Sequence, residues 1–286
     1  MKRILITGAS GMLGAELCLS LQNNFDIYSY EKSSARNSKG LDITNIDEVN
    51  SAIAFVKPDI IINCAAFTNV DNAEMYKTKA REVNVVGLSN ILKTCLKDVK
   101  IIHISTDYIF DGSKGNYLES SIKNPLNYYG KTKLEAENYL VGSNYNYLIL
   151  RPNVLYGNNL KSSNFFSWVM NSLLVNKNIN IVDDQLSNPA YIPDFVSVIQ
   201  DSILLDYSGI SHFGSEDVIS RYDFAMKICK YFNLDHKLIK SLRTSDLNQI
   251  AKRPLNTSLN CSKIESDLDI NLYSTNYSLE RIKTSL

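Results

Sequence analysis

The chain has 286 residues, of which 44% are hydrophobic and 21% are charged, proportions typical of a globular protein. Thirty Lys and Arg residues balance thirty Asp and Glu residues, so no global field attracts nucleic acid or an anionic membrane surface. This length suits one large α/β domain or a large domain with a smaller annex.

The spacing of the cysteines and the length of the apolar runs exclude several further classes of protein. The five cysteines form no C-x-x-C pair and the three histidines stand apart, so neither a disulfide framework nor a metal site is expected. The stretch before Gly8 is too short for a signal-peptide core, and no apolar run approaches the roughly 20 residues of a membrane span. We therefore expect a reduced, cytoplasmic protein with no membrane or nucleic-acid partner.

Strand and helix patterns alternate along the first half of the chain. Short apolar runs predict strands at residues 4–6, 25–30, 60–62, 101–105 and 147–150. Helical patterns lie at residues 15–21, 46–56, 79–96 and 127–140, and Thr44 can cap the second of these helices. The alternation is typical of a doubly wound, mostly parallel α/β sheet, in which ligands bind beyond the carboxyl ends of the strands.

After residue 155 strand and helix patterns no longer alternate regularly, and helices are predicted at residues 168–174 and 222–232. We interpret residues 1–157 as a Rossmann-like dinucleotide-binding domain to which later segments can return. Residues 158–286 are interpreted mainly as a smaller substrate-binding lobe that closes over the site.

A glycine-rich loop joins the first strand to the first helix. Gly8, Gly11 and Gly14 form a G-x-x-G-x-x-G pattern, which differs in spacing from the G-x-G-x-x-G dinucleotide fingerprint. Glycines allow a tight turn, and the start of the helix presents backbone N–H groups that suit a pyrophosphate. The alternative is an ordinary glycine-rich turn of an α/β protein.

Charged residues near the second strand leave the choice between NADH and NADPH open. Glu31 lies 17 positions after Gly14, where an acidic side chain would bind a ribose 2′-hydroxyl and repel a 2′-phosphate. Lys32 and Arg36 stand close by and could instead pair with that phosphate. Asp42 is a candidate contact for the adenine or simply a turn acid.

Tyr129 and Lys133 are four residues apart in the predicted helix at 127–140 and therefore share one helix face. A nearby cation favours the phenolate, so the pair suits proton transfer at a carbonyl or alkoxide oxygen. Such a pair alone is a frequent coincidence on helix surfaces. Here Ser105-Thr106-Asp107 precedes it at a strand end, and Thr106 offers a hydroxyl for the same oxygen.

Several strings resemble those of the extended short-chain dehydrogenase/reductases and, within that superfamily, the dTDP-4-dehydrorhamnose reductases. The strings are the glycine loop and residues 64–74, 105–112 and 125–134. This resemblance implies hydride transfer from reduced NADP or NAD to the C4 ketone of a nucleotide-linked 4-keto-6-deoxy sugar. It places the reaction in deoxysugar or surface-polysaccharide biosynthesis, with a homodimer possible.

The resemblance also assigns roles to individual residues. It implies that Tyr129 donates the proton, that Lys133 holds the nicotinamide ribose and lowers the phenol pKa, and that Thr106 binds the ketone oxygen. The implied cofactor-binding positions are Gly8, Gly11, Met12, Leu13, Gly14, Glu31, Asp42, Ile43, Cys64, Ala65, Ala66, Tyr129 and Lys133. The implied substrate-binding positions are Thr106, Asp107, Asn153 and Arg253, and no metal site is implied.

Some roles and the substrate itself stay open. Ser105 is interpreted as a strand-end cap and Cys64 as a packing residue, Asn84 as a brace for backbone groups, and Arg151 as either an ion-pair partner or a ligand group. The reductases usually carry Arg-Thr-Ser-Trp where this chain has residues 151–154, ending in Val154, so the sugar that is bound is in doubt.

Three other functions compete with ketone reduction. Tyr108 occupies the position of the glutamate that sugar-nucleotide dehydratases use as a base, which makes dehydration improbable. A sugar-nucleotide epimerase is compatible with the same motifs. The chain also resembles the regulatory β subunit of methionine adenosyltransferase, which implies a non-catalytic nicotinamide-binding module as a further alternative.

Overall fold

A parallel sheet of seven strands forms the centre of the computed structural model, which describes residues 1–33 and 39–285. The described strands are β1 (Arg3–Thr7), β2 (Asp26–Glu31), β3 (Lys39–Gly40), β4 (Ile60–Asn63), β5 (Lys100–Ile104), β6 (Tyr147–Pro152), β7 (Leu155–Tyr156), β8 (Ile179–Val182), β9 (Leu186–Ser187), β10 (Ala190–Tyr191), β11 (Gly209–Phe213), β12 (Ile219–Ser220) and β13 (Ile239–Leu242). The strand order in the large sheet is β11-β6-β5-β4-β1-β2-β3, with all neighbours parallel. The remaining described strands pair as β7 with β10, β8 with β13 and β9 with β12.

Helices connect most of these strands. They are α1 (Met12–Leu21), α2 (Ile46–Val56), α3 (Val70–Met75), α4 (Lys77–Arg81), α5 (Gly87–Thr94), α6 (Tyr128–Val141), α7 (Phe165–Leu174), α8 (Ile192–Leu204), α9 (Arg221–Phe232), α10 (Ser262–Leu268) and α11 (Thr275–Ser285). A π-helical turn, Glu82–Val86, joins α4 to α5. Within the described residues, no helix combines the length and the apolar character that a membrane crossing requires.

The central strands are apolar on both faces, so helices cover the sheet on both sides. In β1, Ile4 and Ile6 belong to one buried cluster, and Leu5, which points the opposite way, belongs to another. The first cluster also contains apolar residues of α1 and α8, and the second contains apolar residues of α2 and α5. The predicted Rossmann-like, doubly wound parallel sheet is therefore confirmed.

The start of α2 differs from the prediction. Its N-cap is Asn45, whose side chain accepts a hydrogen bond from the backbone N–H of Asp47 at 3.1 Å. Thr44 instead donates its hydroxyl to the carboxylate of Asp42 at 2.7 Å. Asn45 and Thr44 both hydrogen-bond groups of the loop before α2. Which of the two caps the helix therefore depends on the local backbone conformation.

The predicted helix at residues 79–96 contains the π-helical turn, which carries Asn84. The Asn84 side chain accepts from the backbone N–H of Phe67 at 2.7 Å and donates to the Thr132 hydroxyl at 2.9 Å. Asn84 thus braces the backbone after β4 against α6, as the sequence predicted for it.

A further buried cluster occupies the later part of the chain and contains apolar residues of α7, β8, α9 and α11. The described chain also returns to the large sheet after residue 157, because β11 pairs with β6 and α8 packs in the same cluster as β1. The division into residues 1–157 and 158–286 stays a prediction, with α8 and β11 as the returning segments.

A buried ion pair joins α6 to β6. Arg151 donates to the two carboxylate oxygens of Glu137 at 2.9 and 2.7 Å, and the two side chains are 0% and 2% exposed. Ser105 donates its hydroxyl to the same carboxylate, as expected of a strand-end cap. Arg151 is therefore an ion-pair partner, and the pair fixes α6 relative to two strand ends.

Glu137→Ala should lower the free energy of unfolding by about 3–5 kcal/mol, because it leaves the Arg151 guanidinium buried without its partner. The matched control is Glu135→Ala on the same helix, since the ion pair of Glu135 with Arg81 is roughly half exposed at both ends. That control should lose at most about 1 kcal/mol. Urea unfolding measures both values, and equal losses would contradict the assigned difference.

Candidate active site

A cleft of about 1180 Å³ opens beyond the carboxyl ends of the central strands. Its lining includes nearly all the predicted site residues, namely Gly8, Gly11, Met12, Leu13, Gly14, Glu31, Asp42, Ile43, Cys64, Ala65, Ala66, Thr106, Asp107, Tyr129 and Lys133. The cleft is therefore open where the predicted catalytic and cofactor-binding groups meet. Asn153 and Arg253 are the predicted residues that do not line it.

The glycine loop is shaped for close approach of a ligand backbone. Gly8 has φ of +67°, and a Cβ atom built on it would lie 2.8 Å from the backbone nitrogen of Ala65. A Cβ atom on Gly14 would collide with the carbonyl oxygen of Gly8. Gly11 is the N-cap of α1 and provides no side-chain cap, and no acidic residue lies in the first turn. The uncapped N–H groups fit the pyrophosphate of a dinucleotide.

The far end of the cleft carries the groups predicted to choose between the two nicotinamide cofactors. Glu31 ends β2 and is 6% exposed. Asp42 accepts from the backbone N–H of Thr44 at 3.0 Å and pairs with Lys32 at 2.8 Å, so it acts as a turn acid at the cleft edge. Arg36 lies outside the described residues. Both NADP and NAD remain compatible with these contacts.

Thr106 and Tyr129 lie on the same side of the sheet and meet in the cleft. The Thr106 side chain lies close to the Tyr129 phenol, and both residues are less than a tenth exposed. Burial raises the Tyr129 pKa above that of an ordinary phenol, and the Thr106 hydroxyl offsets only part of the rise. The expected lowering by Lys133 is therefore not found. A phenol that stays protonated at neutral pH is suited to donate a proton.

Lys133 lies one turn after Tyr129 on α6 and is 2% exposed. Its ammonium donates to the carbonyl oxygen of Ile104 at 2.6 Å and lies 3.3 Å from Nε2 of His103. Burial lowers the Lys133 pKa to about 8, and the neighbouring Glu137 and Cys64 groups offset part of that fall. The thiol of Cys64 has its pKa raised by burial to about 12, which agrees with a packing role.

Asp107 presents a carboxylate to the cleft. One carboxylate oxygen accepts from the Thr106 hydroxyl at 3.1 Å, and the other is buried with no hydrogen-bond partner among the described residues. Burial raises the Asp107 pKa to about 6, against the lowering effect of the neighbouring Thr257 and Thr106 hydroxyls. An unpartnered acceptor in a cleft fits a ligand hydroxyl.

Asn153 and Arg253 are engaged elsewhere. Asn153 is buried and donates its side-chain amide to Asn188 at 3.2 Å and to the carbonyl oxygen of Thr257 at 2.8 Å. Arg253 pairs with Asp71 at 2.8 Å. Oδ1 of Asn153 and Nη1 of Arg253 are buried with no hydrogen-bond partner among the described residues. The roles of both residues in substrate binding stay predictions.

Arg221 was not predicted from the sequence, and it lines the cleft at the start of α9. Its guanidinium lies 5.2 Å from the ring of Phe165 and partly offsets the rise that burial causes in the Tyr108 pKa. No ion pair is found for it among residues 1–33 and 39–285. The sequence pattern indicates a place in the cleft only weakly, because an arginine next to an amphipathic helix has no partner nearby in the sequence.

Comparisons with known proteins agree with this geometry. The family model described as RmlD substrate binding domain matches residues 1–286. The dTDP-4-dehydrorhamnose reductase of Aggregatibacter actinomycetemcomitans is 37% identical, covering 94% of each chain. A crystal structure of dTDP-4-dehydrorhamnose reductase from Bacillus anthracis str. Ames in complex with NADP has a TM-score of 0.92 at 31% identity, covering 100% of this chain and 99% of that one. The methionine adenosyltransferase 2 subunit beta of Xenopus tropicalis is 34% identical over 92% of this chain and 82% of its own length.

Asp107→Asn should stabilise the protein near pH 7 by up to about 3 kcal/mol, at about 1.36 kcal/mol per pKa unit. The raised pKa of about 6 means that the folded protein holds this proton to higher pH than the unfolded chain does. Stability contributed by the neutral carboxyl is therefore complete below about pH 4 and is lost as the pH rises through about 6. Urea unfolding of both proteins between these pH values measures the difference.

The control for this measurement is Asp111→Asn, which should have the opposite sign. Hydrogen bonds from Tyr117 and Ser113 hold the Asp111 pKa well below its usual range. Its substitution should therefore destabilise the protein near neutral pH, with the difference vanishing as the pH falls. An Asp107→Asn stability difference that did not change between pH 4 and 7 would refute the assigned titration.

Proposed function

The chain belongs to the RmlD substrate binding domain family, and from that premise we propose that it reduces the C4 ketone of a nucleotide-linked 4-keto-6-deoxy sugar. The observation that carries this proposal is the meeting of the Thr106 and Tyr129 hydroxyls in an open cleft beside the glycine loop. The named relatives support a place in dTDP-rhamnose or related surface-polysaccharide biosynthesis.

The glycine loop, α1 and Lys133 would hold NADPH or NADH. When bound, the reduced nicotinamide supplies the hydride to the ketone carbon. The uncapped N–H groups of α1 suit the pyrophosphate, and the close contact of Gly8 with Ala65 excludes any larger residue there. The Lys133 ammonium has donors to offer to ribose hydroxyls, since it is a three-donor group.

Tyr129 would supply the proton that the developing alkoxide needs. Because the Tyr129 pKa lies above neutral pH even before burial raises it further, the proton is present when the ketone arrives. Thr106 would donate to the same oxygen, and this bond strengthens as negative charge develops there. The resemblance also implies that Lys133 stabilises the phenolate left after transfer, but no lowering of the Tyr129 pKa by Lys133 is found against the rise that burial causes.

The opposite wall of the cleft would hold the nucleotide sugar. The unpartnered oxygen of Asp107 can accept from a sugar hydroxyl. Arg221 can pair with a diphosphate oxygen, because a guanidinium makes charge-assisted hydrogen bonds to phosphate. Val154 lines the same wall, and its small size leaves room for the ring. Which hexose and which nucleotide are bound depends on this wall.

A non-catalytic, nicotinamide-binding regulatory role is the second candidate, since the methionine adenosyltransferase subunit covers most of the chain at similar identity. Ketone reduction is favoured because the full set of Thr106, Tyr129 and Lys133 lines an open cleft.

A cytoplasmic location and a homodimer also belong to the proposal. All five cysteines are free, which supports a cytoplasmic location. Light scattering tests the homodimer.

Tyr129→Phe should lower kcat by about a hundredfold to ten-thousandfold while leaving NADPH binding intact, because it removes the proton donor and little else. NADPH oxidation at its absorbance maximum, with a panel of dTDP-, UDP- and GDP-linked 4-keto-6-deoxy sugars, measures the effect. Tyr128→Phe is the matched control, since Tyr128 is the preceding residue and does not line the cleft.

Two outcomes of that assay decide between the candidates. Turnover by the unaltered protein that falls in Tyr129→Phe but not in Tyr128→Phe supports the reductase. Tight NADPH binding by the unaltered protein without turnover of any sugar in the panel would favour the regulatory module instead.

Arg221→Ala should raise KM for the nucleotide sugar by roughly tenfold to a hundredfold, which is the range of one charge-assisted hydrogen bond, with a smaller effect on kcat. Arg221→Lys should recover part of the loss, since it keeps the charge but not the planar fork. Lys230→Ala, at the exposed end of the same helix, is the control. An unchanged KM in Arg221→Ala would remove this residue from the substrate site.

A further inference from the structure

Three polar side chains form a buried row across β1, β4 and β5. Thr7 is the register partner of Asn63, and Asn63 is the register partner of His103. The Thr7 hydroxyl lies 2.7 Å from Oδ1 of Asn63, and Nδ2 of Asn63 lies 3.1 Å from Nδ1 of His103. All three are at most 2% exposed. Polar groups this deeply buried need partners, and here each finds one on the next strand.

The row ends on the Lys133 ammonium. Nε2 of His103 lies 3.3 Å from Nζ, and the carbonyl oxygen of Ile104 lies 2.6 Å from it. An ammonium carries three donors, and these two contacts hold two of them against β5. The third is left for the cleft that Lys133 lines. His103 and Ile104 together therefore fix the direction in which the side chain points.

Which ring nitrogen of His103 carries the proton depends on whether Lys133 is charged. A charged Lys133 must donate to Nε2 of His103, which leaves the imidazole proton on Nδ1 and requires Asn63 to offer it the amide oxygen. If Asn63 instead offers its NH2 group, His103 carries its proton on Nε2 and faces a neutral lysine. Rotation of the amide converts one arrangement into the other, because its two ends have the same shape.

The surrounding groups keep His103 neutral. Burial, with the nearby Lys133 charge, holds the His103 pKa well below its ordinary value. The other titratable groups around Lys133 are Cys64, which follows β4, and Glu137 and Tyr129, both on α6. His103 is thus an acceptor for the ammonium and not a second cation beside it. The Cys64 thiol stays protonated, so Glu137 is the neighbouring anion.

We propose that His103 is a positioning residue, which accepts a hydrogen bond from the Lys133 ammonium through Nε2. This requires the Asn63 amide to be turned over, so that its oxygen in place of Nδ2 faces Nδ1 of His103 and its NH2 group faces the Thr7 hydroxyl. The kinetic consequence of this inference rests on the proposed function. The tautomer itself is a property of the free protein and is measured without any substrate.

Nitrogen-15 NMR of the free protein tests the tautomer directly. The chain has three histidines, so comparison with His103→Gln assigns the signal of His103. We expect a neutral ring with the proton on Nδ1 near pH 7, which changes tautomer as Lys133 loses its proton near the expected pKa of about 8. In Lys133→Met that change should disappear. A proton on Nε2 at pH 7, or a transition that persists in Lys133→Met, would overturn the proposal.

The pH dependence of kcat separates positioning from simple packing. His103→Leu removes an acceptor of the ammonium, so the alkaline limb of the profile should move down by about one to two pH units. His103→Gln keeps an acceptor oxygen and should retain most of the original profile. His236→Leu, at an exposed histidine, is the control for substitution itself.

The outcomes distinguish the two proposals. Equal profiles for His103→Gln and His103→Leu would overturn the positioning role. If His103→Leu does not fold, the glutamine variant and the NMR measurement still decide. Absence of turnover in the unaltered protein would refute the reductase function, while the NMR result would continue to decide the role of His103.

Discussion

The Lys133 ammonium is nearly removed from water, and the layout of the site follows from the need to stabilise it there. An isolated buried charge costs several kcal/mol, so the chain must provide partners for it. The Ile104 carbonyl and His103, both on β5, accept from the ammonium, and the charge of Glu137, one turn later on α6, favours the protonated lysine. These partners fix the position of α6, and with it the position of Tyr129 one turn earlier.

The parallel sheet makes this arrangement possible. Its strands end at one edge, so side chains that are far apart in the sequence become neighbours there. Thr7, Asn63 and His103 are adjacent because three strands end in register, and Thr106 follows directly after the third. On the other side of the cleft, α6 places Tyr129, Lys133 and Glu137 at intervals of four residues on one face. One helix thus carries both the phenol of the proposed proton donor and the carboxylate that pairs with Arg151 of β6.

Local patterns allowed much of this site to be predicted. The glycine spacing, the Tyr129–Lys133 pair and the strand end at Thr106 are short-range signals, and all of these residues line the cleft. The contributions of His103, Asn63 and Arg221 could not be predicted in this way, because each depends on a partner from another strand or helix. The pKa of Tyr129 was expected to fall because a cation was near, but desolvation is the larger effect. The sequence predicted that later segments can return to the first domain but did not identify α8 and β11, since their place is set by packing on a sheet formed much earlier in the chain.

The two walls of the cleft differ in how they constrain the sequence. The cofactor wall is formed mostly by backbone groups and glycines, where a Cβ atom would collide with Ala65 or with Gly8 itself. The substrate wall is formed by side chains from later segments, including Arg221 at the start of α9 and Val154 after β6. Side chains on such a wall can change without disturbing the sheet, whereas the glycine loop cannot. If the proposed function holds, the cofactor wall can stay constant while the sugar varies, and under that proposal Arg221, Asp107 and Val154 are the side chains to test for substrate choice.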